Sequence, residues 1–142
     1  MTDESNPAES IPETLGQRRV VVMEGGRAEI EYEAGMHMCH SGGVVQGGFI
    51  TGWIDAAMAH AVISQLGFDT VPMSLEIKIT FFAPARPGLI IAEGWIEKSG
   101  KTTCFAEGLI KNRAGNVLAK GTSTIRLMPR AKVQSAAEAA RG

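Results

Sequence analysis

The chain has 142 residues, 44% of them apolar and 20% charged, the make-up of one ordinary globular domain with room for a real core. Fourteen basic residues stand against fifteen acidic ones, a balance that argues against a general nucleic-acid binder. Two cysteines, Cys39 and Cys104, make no disulfide framework, and the polar, acidic start MTDESNPAES carries neither the basic nor the apolar stretch of a secretory signal, so a cytoplasmic protein acting on small molecules is expected.

Residues 1–17 read as a mobile arm. Two strands follow, Arg19 to Met23 and Arg27 to Tyr32, around the turn Glu24-Gly25-Gly26; the second alternates through Ala28, Ile30 and Tyr32. A loop from Glu33 to Val45 leads into a helix that starts near Gly47 or Gly48 and stops at Gly67, a residue suited to a left-handed cap. Four strand-like runs come next. Met73 to Phe82 places Leu75, Ile77 and Ile79 on one face and Glu76, Lys78 and Thr80 on the other, ending at Pro84-Ala85-Arg86-Pro87-Gly88. Leu89 to Lys98 and Thr102 to Asn112 flank the tight turn Ser99-Gly100-Lys101, and Asn116 to Leu127 follows Arg113-Ala114-Gly115. The tail, residues 129–142, is basic and then Ala-rich and offers little basis for order. Strands, one long helix, then consecutive strands predict an α+β domain over residues 18–128, in which a curved antiparallel sheet of five to six strands wraps the helix.

That helix is apolar or small on every side except at Thr51, Asp55, His60, Ser64 and Gln65. Such a helix is wrapped by other structure, and a carboxylate within it needs a purpose or a partner. Asp55 is thus the leading catalytic candidate; the plainer reading is a carboxylate satisfied by Thr51 or Ser74. Asp55, His60 and the glycines interrupt the run too often for a membrane span. Gly47 and Gly48 offer backbone N–H groups at a helix start, where the dipole favours negative charge and the missing side chains admit a substrate, although close helix packing would also use glycine. His37, Cys39 and His40 lack a fourth ligand and a metal-binding spacing, so no metal is expected. Adjacent Cys39 and His40 make a poor nucleophilic pair. His60, Tyr32 and Trp53 most simply fill core or interface, with Trp53 also able to wall a substrate pocket.

The run His40-Ser41-Gly42-Gly43-Val44-Val45-Gln46-Gly47-Gly48, with Asp55 following, resembles the hotdog-fold acyl-CoA thioesterases of the phenylacetate-pathway type. Their pattern is Asn, two residues, Gly, two residues, His-Gly-Gly, then an Asp near the helix centre. The strand from Met73 to Ala85, with Ser74 near its start, and the turns at Ser99–Thr102 and Asn112–Gly115 match as well, so the resemblance spans residues 18–127. It implies Asp55 as general base or nucleophile, Gly47 or Gly48 as oxyanion donor and Ser74 as a residue orienting the attacking water. Two positions depart from it. Gln46 stands where the family has histidine and His40 where it has asparagine, and both remain able to contact substrate or water. No cofactor is implied.

Thioester hydrolysis requires an oxyanion donor and a carboxylate that attacks or activates water. Asp55 lies eight residues beyond Gly47, a rise of about 12 Å, too far for one carbonyl to meet both. Either the two do different jobs, or Gly47 of one protomer meets Asp55 of another. The second option agrees with the family, whose sites sit at a dimer interface; a homodimer is expected, with a dimer of dimers left open. Arg86, Lys98, Lys101 and Arg113 sit at or beside turns, where they could face the phosphates of coenzyme A or simply be solvated. Two alternatives remain: a hotdog enoyl-thioester dehydratase or hydratase pairing His40 with Asp55, although the proline-rich segment of those enzymes is missing, and a non-catalytic acyl-CoA-binding protein.

Overall fold

A computed structural model describes residues 10–141, so the arm expected over residues 1–9 lies outside the described part. The remainder of that arm is ordered. Ser10 caps a short helix, α1 (Ile11–Leu15), by accepting from the Glu13 N–H, and Gly16 ends it at φ 76°. Leu15 lies on Gly52, and its carbonyl accepts from Trp53 Nε1 at 2.8 Å, so this segment closes one side of the core.

The strands β1 (Gln17–Glu24) and β2 (Arg27–Ala34) form the expected hairpin. The segment read as a loop holds a 3₁₀ turn at Met36–Met38 and a small hairpin, β3 (Cys39–His40) with β4 (Val44–Val45), whose tip glycines Gly42 and Gly43 have φ of 88° and 71°. The helix α2 (Gly47–Leu66) runs as predicted. Gly67 ends it with positive φ (86°) but an extended ψ of 175°, not the left-handed cap conformation, and its N–H reaches the Ile63 carbonyl. Then come β5 (Thr70–Phe81), β6 (Gly88–Ser99), β7 (Thr103–Asn112) and β8 (Val117–Pro129), and the tail continues as α3 (Arg130–Arg141), which has no buried residue.

Six strands form one antiparallel sheet in the order β1-β2-β6-β7-β8-β5, curved around α2. This is the α+β hotdog arrangement expected from the chain. Among the described residues no helix is long and apolar enough to cross a membrane.

Glycines determine how closely α2 approaches the sheet. Gly94 on β6 pairs with Gly108 on β7, which pairs with Gly121 on β8, and Ala28 on β2 extends the row. A Cβ on Gly94 would stand 2.5 Å from the backbone carbonyl of Ala57, and one on Gly108 would stand 3.0 Å from Ile54 Cγ2. The helix therefore lies in a transverse groove without side chains, and Trp53, Ile54, Ala57, Met58, Ala61 and Val62 are fully buried against the sheet. At one flank Tyr32 stacks on Trp53 with ring centroids 5.8 Å apart.

Candidate active site

The first turn of α2 is built around Gln46. Its backbone is tied on both sides, the N–H donating to the Met38 carbonyl (2.9 Å) and the carbonyl accepting from the Phe49 N–H (3.0 Å). Its side chain curls back so that Oε1 accepts from the Gly48 N–H at 2.7 Å, an N-cap made by a residue longer than the usual Ser, Thr, Asp or Asn. Among the described residues the Gly47 N–H has no partner. A Cβ on Gly47 would stand 3.1 Å from the Phe81 ring, so glycine there allows the ring to lie over the helix start. Gly47, Val45, Ile50, Phe81, Phe82 and Pro84 line an open, largely apolar cleft of about 440 Å³. Thr51, weighed as a partner for Asp55, instead donates to the Gly47 carbonyl at 3.0 Å.

Two turns further along, half-buried Asp55 accepts from Ser74 Oγ at 2.9 Å through Oδ1. Strict alternation along β5 would put Ser74 on the outer face with Glu76 and Lys78. The sheet avoids this with a β-bulge: Ser74 pairs with Ile125 and Glu76 with Thr124, leaving Leu75 as an extra residue. Ser74 therefore faces α2 as Ile77 and Ile79 do. Leu75, expected on the core face, is 64% exposed. Asp55 Oδ2 has no hydrogen-bond partner among the described residues. A carboxylate with one oxygen oriented by a hydroxyl and the other open is suited to attacking a carbonyl carbon or to taking a proton from water.

The remaining candidates fall in separate places. Arg86 and Arg113 line one cleft of about 660 Å³, which shares Pro84 with the cleft at Gly47, and Arg86 Nη1 also donates to the Gly42 carbonyl at 3.2 Å. Lys98 is at the far end of β6, about 33 Å from Gly88 at an extended rise. Lys101 lines a different cleft with Asp69 and Met128. The four cations do not form one rim on a single chain. His40 is exposed, its Nδ1 against the Ser41 carbonyl at 3.1 Å, and does not line the Gly47 cleft. His60 Nδ1 is 2.7 Å from the Ala56 carbonyl, a partner within its own helix. Trp53 is fully buried and lines none of these clefts. Among the described residues no group of side chains is placed to hold a metal. Cys104 is fully buried, and burial pushes its thiol pKa up, which leaves it a packing residue. Phe81 was not singled out from the sequence, where it reads as the last inward residue of a strand.

Comparisons with known proteins bear on the family and the fold. A family model described as the thioesterase superfamily matches residues 42–119. A Saccharolobus solfataricus protein provisionally named an esterase is 30% identical over 118 residues, 82% of each chain. A Ralstonia eutropha protein, described as related to phenylacetic acid degradation and provisionally as a thioesterase, superimposes with a TM-score of 0.75 at 28% identity, covering 85% of this chain and 92% of its own. A hypothetical thioesterase from Streptococcus pneumoniae, solved with coenzyme A, superimposes with a TM-score of 0.73 over 78% of this chain and 88% of its own; at 20% identity that match speaks for the fold alone.

Proposed function

This chain belongs to the thioesterase superfamily, and from that membership we propose that it hydrolyses an acyl-CoA thioester to the free acid and coenzyme A. The observation that carries the reading is the pair Asp55–Ser74: the one carboxylate of a largely apolar helix, half-buried and oriented at 2.9 Å by a serine that a β-bulge turns towards it. Asp55 acts as general base on a water molecule or attacks the acyl carbon itself. In the first case the water oxygen bonds to the carbonyl carbon as Asp55 takes its proton, and the C–S bond then breaks with that proton passing on to the departing sulfur, which leaves as the CoA thiol. In the second the acyl group passes to Asp55 as an anhydride that water then opens. Either way negative charge develops on the carbonyl oxygen, where a backbone N–H at the start of α2 stabilises it.

The helical rise of about 12 Å between Gly47 and Asp55 supports a site shared by two copies, each supplying one end. The edge strand β5 is the surface best suited to bring them together. It carries exposed Met73, Leu75 and Phe81 and presents an unpaired strand edge, which a lone chain would otherwise leave open to misassociation. Arg86 and Arg113, in the cleft adjoining that of Gly47, are the cations best placed for the CoA phosphates. Coenzyme A in the S. pneumoniae neighbour is in keeping with that ligand class.

The test is thiol release across short, long and aromatic acyl-CoAs. Asp55→Asn should lower kcat by at least about a hundredfold while the chain remains folded. Unchanged activity in that variant would overturn the role of Asp55. Tight acyl-CoA binding without thiol release would identify a binding module, and water addition to an enoyl-CoA without thiol release would identify a hydratase.

A further inference from the structure

Gln46 is one of the two positions at which this chain departs from the family pattern, and its side chain has a specific occupation. A helix that opens on two glycines is prone to fray, because each glycine gives up more backbone freedom on folding than any other residue. The first-turn N–H groups have no intrahelical carbonyl to hold them. In α2 the Gln46 carboxamide supplies what is missing, with Oε1 on the Gly48 N–H at 2.7 Å. The fit is close, since a Cβ on Gly48 would stand 2.6 Å from that same oxygen. The two candidate oxyanion donors are thereby made unequal. The Gly48 N–H is occupied by the protein's own side chain. The Gly47 N–H is unpartnered among the described residues and belongs to a residue lining the Phe81 cleft.

We propose that Gln46 is a positioning residue that selects Gly47 as the oxyanion donor: its carboxamide withdraws the Gly48 N–H from the site and pins the Gly-Gly turn so that the Gly47 N–H is presented to the acyl carbonyl. This deepens the thioesterase reading and rests on it. It also accounts for glutamine at a position where the family carries histidine, since capping needs an acceptor of the right reach and not an imidazole.

The test compares Gln46→Ala, which removes the acceptor, with Gln46→Ser, a short neutral cap that restores one. Thiol-release assays should show kcat falling about tenfold or more in Gln46→Ala with KM within about threefold, the pattern of a misplaced transition-state donor, and Gln46→Ser regaining most of the loss. Equal kcat in Gln46→Ala and the unaltered protein overturns the proposal. So does a Gln46→Ser variant that recovers thermal stability yet remains as slow as Gln46→Ala, because the carboxamide would then act directly. Backbone amide shifts on titration with a non-hydrolysable ketone analogue of acetyl-CoA give a readout independent of turnover. The Gly47 amide should move while Gly48 holds its position; a moving Gly48 with a still Gly47 overturns the selection. Absence of thiol release by the unaltered protein would instead defeat the hydrolytic reading, and the amide pattern would still decide what Gln46 does.

Discussion

The middle of α2 and its N-terminal end both depend on glycines and use them in opposite ways. Over the middle, Gly94, Gly108 and Gly121 clear a groove, Ala57 and Ile54 fill it, and the surrounding apolar side chains are fully buried. At the N-terminal end, Gly47 clears space as well, but what lies against it is an open cleft and a half-exposed Phe81, while Gly48 lies against the Gln46 carboxamide. A glycine backed by backbone is structural; a glycine backed by a movable ring and open space is a point of entry. One chain completes its core by itself, and on the reading proposed above its site takes a second copy to complete.

The comparison breaks most severely at the groove. A Cβ on Gly94 has nowhere to go, because the atoms it meets at 2.5 Å are the Ala57 backbone and not the end of a flexible side chain. Gly94→Ala should therefore lift the helix and cost about 3 kcal/mol, the upper range for overpacking, lowering the thermal midpoint by about 10 °C. Thermal unfolding followed by far-ultraviolet circular dichroism measures this, and an unchanged midpoint would show that α2 does not seat on the glycine row.

A smaller effect is expected at the edge strand β5. Leu75 exists as an extra residue because of the bulge and points outward at 64% exposure on the edge strand. Leu75→Lys should leave the thermal midpoint of the isolated chain nearly unchanged, since no core contact is lost, while adding the charge by which natural edge strands resist pairing. Sedimentation velocity should show dissociation shifted to protein concentrations about tenfold higher or more, with thiol release falling in step. A monomeric variant with full activity would contradict a site shared between copies.

How much of this was legible in the residues follows the same division. Strand positions and the α2 boundaries could be read because alternation and terminal glycines are local signals, and Asp55 stood out because one carboxylate in an apolar helix is conspicuous. The groove was not legible: Gly94, Gly108 and Gly121 lie 13 or 14 residues apart and look like unrelated strand glycines until sheet register aligns them. Alternation also misplaced Leu75 and would have sent Ser74 to the wrong face, because a bulge changes parity without leaving a mark in composition. The spread of the four cations over separate clefts of one chain was hidden for a similar reason, since a turn on one end of a sheet and a turn on the other are equivalent in sequence and lie a strand length apart in space. Docking of Leu15 on Gly52 and Trp53 was hidden in a segment whose composition is that of an arm.

The smallest effect lies inside the completed half. Tyr32 is fully buried against Trp53, and its hydroxyl has no hydrogen-bond partner among the described residues. Desolvation alone pushes its pKa far up, so the folded chain holds the neutral phenol when the unfolded chain would ionise. The sign follows: stability is unaffected below the unfolded value of about 10 and declines as pH rises beyond it, because only the unfolded state can lose that proton readily. Tyr32→Phe removes an unpaired polar group and keeps the ring, so at neutral pH it should raise stability by about 1 kcal/mol or leave it unchanged, and it should flatten the alkaline decline. Denaturant titrations at pH 7 and above pH 10 measure both. A loss exceeding about 1 kcal/mol at pH 7 would mean that the hydroxyl has a partner in solution and that this half of the molecule is also completed from outside.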